Sequence, residues 1–179
     1  MKSVARFALL SGYAALVSAS NVTQSTCGNP ADAVPFYRSY HSANVDHWYT
    51  PDVAQINTYN PQGFALQGVA GLVFITQEPG TTPFYRLYNS ALTDNFYTIS
   101  LAEKVAAEQN GYITDGVSVP VSYIYPTQVC GSIPLFRLYS ASGQDNFYTT
   151  SEAERINAIA NGGYADVEIA GYILPVGCT

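Results

Sequence analysis

Pro83-Phe84-Tyr85-Arg86-Leu87-Tyr88, followed after a short polar stretch by Asp94-Asn95-Phe96-Tyr97-Thr98, is written three times in this chain. The first copy reads Pro35-Phe36-Tyr37-Arg38-Ser39-Tyr40 and then Asp46-His47-Trp48-Tyr49-Thr50; the third reads Pro134-Leu135-Phe136-Arg137-Leu138-Tyr139 and then Asp145-Asn146-Phe147-Tyr148-Thr149. The arginines are 48 and 51 residues apart, and an aspartate follows each arginine by eight residues. Two aromatic runs around a polar loop predict a β-hairpin in every copy.

After each hairpin comes Asp52-x-x-Gln55, Ser100-x-x-Glu103 or Ser151-x-x-Glu154, the pattern of a capped helix start. The third helix is expected to bury Ile156, Ile159 and Ala160, and Asn161-Gly162-Gly163 ends it. Asn110-Gly111 ends the second, and Pro61 the first, with Thr58 and Tyr59 inside it. Gly63-Phe64, Gly111-Tyr112 and Gly163-Tyr164 then lead into apolar strands over 70–75, 119–125 and 169–174. A unit of this kind cannot bury its own apolar face, so the copies must pack on one another. The expected fold is mainly β with three short helices, a three-fold pseudosymmetric closed repeat domain of β-trefoil-like form; the alternative is a three-bladed ββαβ ring. One domain, 35–179, is expected to hold repeats over 35–82, 83–132 and 133–179.

Lys2 and Arg6, an apolar run from Phe7 to Val17 and the small residues up to Ala19 predict a signal peptide over 1–19 and a secreted, extracellular product. Residues 20–34 form an N-terminal segment, in which Asn21-Val22-Thr23 makes Asn21 a glycosylation candidate. Without Lys2 and Arg6, five cations face thirteen acidic residues, a net charge of −8. That balance argues against nucleic acid or membrane insertion as partners. The fifteen tyrosines and only 11% charged residues suit contact with uncharged ligands, and equally suit an aromatic core.

Three cysteines leave one over. In a closed ring the end of the third repeat meets the start of the first, which favours Cys27–Cys178 and leaves Cys130 as a spare or as the link of a dimer. Cys27–Cys130 is the competing pair.

The motif Tyr-Arg-Leu-Tyr-Asn followed by Asp-His/Asn-Phe-Tyr-Thr-Thr-Ser resembles a tandem aromatic-rich repeat family of unknown function, across Pro35 to Pro175. Such repeats occur beside bacterial cell-wall hydrolases and in stand-alone secreted fungal proteins. The resemblance implies a targeting module for glycans or cell walls. The chain departs from the bacterial pattern in having Asn95 and Asn146 where histidine is common, with only His47 kept.

Two sets of residues stand out. Arg38, Arg86 and Arg137 with Asp46, Asp94 and Asp145 are expected to form structural ion pairs, either within each hairpin or between units. The strand face carrying His47 and Tyr49, Asn95 and Tyr97, or Asn146 and Tyr148 is the candidate ligand face, the opposite face with Trp48, Phe96 and Phe147 being core. Catalytic signals are weak. His41 and His47 occur in one repeat only, no Gly-x-Ser-x-Gly elbow is present, and Glu152 with Glu154 reads as helix capping. No catalysis, metal or cofactor is expected. The first functional expectation is a lectin-like module binding a glycan or cell-wall surface through repeated aromatic and amide sites. The alternative is a protein-interaction factor, such as an inhibitor, effector or immunomodulatory protein, acting through its loops.

Overall fold

A computed structural model describes residues 26–114 and 120–177. The expected signal peptide over 1–19 and the glycosylation candidate Asn21 lie outside the described residues. A short 3-10 turn, Pro30–Asp32, leads into the first segment: β1 (Ala33–His41), β2 (Asp46–Thr50), α1 (Val53–Tyr59) and β3 (Phe64–Phe74). The second contains β4 (Thr82–Asn89), β5 (Asp94–Thr98), α2 (Leu101–Gln109), β6 (Ile113–Thr114) and β7 (Ser122–Ile124). The third contains β8 (Ile133–Ser140), β9 (Asp145–Thr149), α3 (Glu152–Asn161) and β10 (Ala165–Ile173). The molecule is mainly β with three α-helices, as the repeated pattern predicts. Its strands do not close into the expected trefoil-like barrel. They form two antiparallel sheets, one ordered β2-β1-β3-β7-β4-β5 with β6 also on β4, the other β10-β8-β9.

Local chemistry repeats from segment to segment. Each hairpin turns through a residue in the left-handed region just before its aspartate: Val45, Thr93 and Gln144, at φ of 53°, 54° and 54°. The turn is held by His41 Nδ1, Asn89 Oδ1 or Ser140 Oγ, each accepting from backbone N–H groups two or three residues on. Asp52, Ser100 and Ser151 cap their helices as expected. Glu103 and Glu154 do not complete the box with the cap's backbone N–H; they accept from the Thr98 and Thr149 hydroxyls, as Gln55 does from Thr50. Gly63, Gly111 and Gly163 take left-handed φ of 104°, 87° and 73°, which reverses the chain ahead of Phe64, Tyr112 and Tyr164.

The apolar stripe expected on α3 is not buried. Ile156 and Ile159 are 58% and 42% exposed, and Ala158 is the residue that packs inward. The helix lies at the rim, where Ala158 is its buried residue in the cluster with Leu138 and Phe147. The core is instead made of matching hairpin residues: Phe36, Phe84 and Leu135, then Tyr49, Tyr97 and Tyr148, closed by Val73, Ile124 and Ile173. Gly171 lets segments approach closely, since a Cβ there would stand 2.5 Å from Ile124 Cδ1.

The disulfide is Cys27–Cys130, with 5.7 Å between Cα atoms, and this overturns the expected Cys27–Cys178 bridge and a dimer linked through Cys130. The N-terminal segment is directed to the end of the second segment, where the Gly28 N–H donates to the Tyr125 hydroxyl at 3.1 Å. The first and third segments are joined by backbone instead, Leu72 and Leu174 exchanging N–H···O bonds of 2.7 and 3.0 Å. Cys178 lies outside the described residues. Peptide mapping without reduction is expected to recover Cys27 and Cys130 in one linked fragment; a fragment linking Cys27 to Cys178 would refute this pairing.

Candidate functional site

In each hairpin the arginine faces the tyrosine of the second strand: Arg38 opposite Tyr49, Arg86 opposite Tyr97, Arg137 opposite Tyr148. The aspartate pairs three rungs further along, opposite His41, Asn89 or Ser140. Three rungs is an odd step, so arginine and aspartate point to opposite faces and cannot pair within the hairpin; between segments Arg38 and Arg137 pair with Glu154 and Glu103, not with the expected aspartates. Both residue types reach to other segments instead.

The strands β2, β5 and β9 are sheet edges, with outward N–H and C=O groups that need partners. Tyrosine hydroxyls supply them in a closed cycle. The Tyr49 hydroxyl donates to the Tyr148 carbonyl at 2.7 Å, Tyr148 to that of Tyr97 at 2.8 Å, and Tyr97 to that of Tyr49 at 2.8 Å. Each hydroxyl also accepts the N–H of the residue it donates to, all at 2.8 Å. The three rings meet edge to face, with centroids 5.4 to 5.6 Å apart.

Two rungs away the aspartates serve the same purpose. The His47 N–H donates to Asp145 at 2.8 Å and the Asn146 N–H to Asp94 at 2.9 Å, while the Asn95 backbone bonds Asp46. The side chains reinforce this: His47 Nδ1 to Asp145 at 2.6 Å, Asn146 Nδ2 to Asp94 at 2.6 Å, and Asn95 Nδ2 to both Asp46 oxygens at 3.1 and 3.0 Å. All five residues of each of these strands are buried. The expectation that His47, Tyr49, Asn95, Tyr97, Asn146 and Tyr148 form an open ligand face is therefore corrected. They are consumed in joining the segments.

The arginines form a third set of joints. Arg38 makes two 2.8 Å bonds to Glu154 and lies over the Phe147 ring; Arg137 reaches Glu103 at 3.1 Å and lies over Phe96; Arg86 lies over Trp48. Position 55, which corresponds to Glu103 and Glu154, carries a neutral glutamine.

Asp46, Asp94 and Asp145 bring carboxylate oxygens within 4.8 Å of one another. Each of the three carboxyls carries the bonds just described. Burial pushes the Asp46 carboxyl up to about 7, the Asn95 bond pulling against it and negative Asp145 and Asp94 adding to it. Burial raises Asp94 too, opposed by its bonds from Tyr112 and Asn146.

The segments differ in one respect at these carboxylates. Tyr112 donates its hydroxyl to Asp94 at 2.5 Å, and Tyr164 to Asp145 at 2.5 Å. The matching ring over Asp46 is Phe64, which has no hydroxyl. It holds the same ring-to-ring place, 5.8 Å from Trp48, as Tyr112 does 5.9 Å from Phe96 and Tyr164 does 5.6 Å from Phe147. Over Asp46 lies a groove of about 300 Å³ between the first and second segments, lined also by Tyr59, Tyr88, Arg86 and Asn95. A related groove of about 290 Å³ lies between the second and third, lined by Glu103, Arg137 and Tyr139, with Tyr112 in it. The sequence reading missed Phe64, Tyr59 and Tyr88, although the change from Gly-Tyr to Gly-Phe was already visible.

The fold and these joints define a β-rich module whose three segments hand the same contacts on to one another. The chain belongs to the family described as domain of unknown function DUF5648, whose model matches residues 35–174. No curated protein and no solved structure matches the chain. Among the described residues no helix is long and apolar enough to cross a membrane.

Proposed function

We propose that this protein is a secreted, lectin-like binding module without catalysis, which recognises glycan or cell-wall surfaces in the grooves between its segments. In this reading the segments are blades of a pseudo-threefold ββαβ ring. The observation that carries the proposal is the pairing, in one groove, of half-buried Tyr59, Phe64 and Tyr88 with the polar groups of Asn44, Gln62 and Asp46. Aromatic rings cover the apolar face of a sugar while amides and carboxylates bond its hydroxyls. Catalysis finds little support, because the buried carboxylates are committed to backbone N–H groups. Weak equivalent grooves on one rigid body would add up on a polyvalent surface.

Co-sedimentation with insoluble polysaccharides, including chitin, cellulose, β-glucan and peptidoglycan, tests this. Saturable retention on at least one is expected, falling at least tenfold in Tyr59→Ala/Tyr88→Ala. Retention on none would refute the glycan reading. Exposed Leu66, Val69, Val167 and Ile169 on β3 and β10 favour the second reading, a protein-interaction factor. That reading expects Leu66→Ser/Val69→Ser to abolish partner binding and to leave polysaccharide retention, if any, unchanged.

A further inference from the structure

We infer that the groove between the first and second segments is a single-sugar subsite, in which a hydroxyl of a neutral, hexose-sized ligand takes the place of the tyrosine hydroxyl that Phe64 lacks. The inference rests on the glycan reading and narrows it to one groove and one ligand class.

The comparison within the chain supplies the argument. Asp94 and Asp145 each receive a backbone N–H, a side-chain N–H and a tyrosine O–H. Asp46 receives its N–H donors from Asn95, and the ring above it ends in carbon. A carboxyl offers acceptor sites in either protonation state, and a buried one left short of donors is costly. In this groove the missing donor coincides with space. The volume of about 300 Å³ sits at the small end of ligand pockets, fit for one ring and not for a chain held end to end.

Charge narrows the ligand further. Asp46, with Asp94 and Asp145 close behind it, repels an anion. A neutral ligand whose hydroxyls both donate and accept avoids that penalty. Tyr59 and Tyr88, both half-buried in the groove lining, provide ring surface for its apolar face.

Trp48 is the only tryptophan in the chain and lines this groove, so its fluorescence reports on occupancy. The test titrates glucose, galactose, mannose and N-acetylglucosamine, with glucosamine and glucuronate as charged comparators, into the wild type and Phe64→Tyr. The variant restores the hydroxyl that the other two segments carry, and its melting temperature is expected to be no lower than that of the wild type. A saturable change with at least one neutral sugar is expected in the wild type, at least tenfold weaker in Phe64→Tyr. Asp46→Asn, which keeps the shape and removes the charge, is expected to weaken binding as well and serves if Phe64→Tyr does not fold. Equal affinity in wild type and both variants, or tighter binding of a charged sugar, overturns the inference. Retention on a polysaccharide with Trp48 unmoved by every sugar overturns it and spares the glycan reading. Sugar binding at Trp48 without polysaccharide retention upholds the inference and removes the surface-binding reading.

Discussion

Tyr97→Phe is expected to destabilise the protein by roughly 2–4 kcal/mol, out of proportion to the single oxygen removed. The Tyr97 hydroxyl is the partner of both the N–H and the C=O of Tyr49, on an edge strand that no other strand covers. Phenylalanine fills the same volume and leaves both backbone groups buried without a bond. The Tyr49 and Tyr148 hydroxyls occupy the same position in the cycle, so Tyr49→Phe and Tyr148→Phe should cost similar amounts. Urea denaturation of the three variants checks this. By contrast, the half-buried Tyr37, Tyr85 and Tyr172 should tolerate phenylalanine with little change. Costs below about 0.5 kcal/mol at all three cycle positions would mean that the hydroxyls do not hold the edges together.

Stability is expected to fall as the pH rises from about 4 to about 7, against the usual acid sensitivity of folded proteins. The Asp46 carboxyl titrates near 7 in the folded protein, its ordinary value being 3.8. The folded state therefore holds a proton that the unfolded chain has released across this range. The stabilisation is complete below the unfolded value and lost as the pH passes the folded one, on the order of 4 kcal/mol in all. Asp94, raised in the same direction, adds to the slope. At lower pH the sign reverses: burial raises Glu154, but the bonds from Arg38 and Thr149 outweigh it and hold the carboxyl low, so protonation there loosens the Arg38 joint. Asp46→Asn should flatten the profile between pH 4 and 7 in urea melts taken at several pH values. A wild-type profile that rises with pH over that interval would contradict the assignment.

Much of this was legible in the sequence, and the limits have physical causes. The repeats, hairpins, helix caps and the glycines ahead of Phe64, Tyr112 and Tyr164 follow from local chemistry. The partners of the arginines and aspartates do not. A spacing of eight residues suggests proximity, but the hairpin register sets Arg38 against Tyr49 and leaves Asp46 three rungs away on the other face. Alternation along β2 was read as one core face and one open face, yet the strand is buried throughout, because an edge that meets two other edges has no solvent side. The cysteine pairing turned on where residues before Pro35 run, which no repeat pattern encodes.

Why the motif keeps aspartate and tyrosine three residues apart then has a physical answer. Each strand presents two outward N–H groups, two residues apart, and a neighbouring segment's carboxylate takes one while a neighbouring segment's hydroxyl takes the other.

If the segments stand only by closing on one another, none of them can open alone. Native-state amide exchange at Tyr49, Tyr97 and Tyr148 reads this directly, one amide for each segment. All three are expected to exchange only through global unfolding, with the same free energy as the urea transition. One of the three exchanging well below that free energy, together with the other amides of its own hairpin, would show a segment that unfolds independently and would contradict the account.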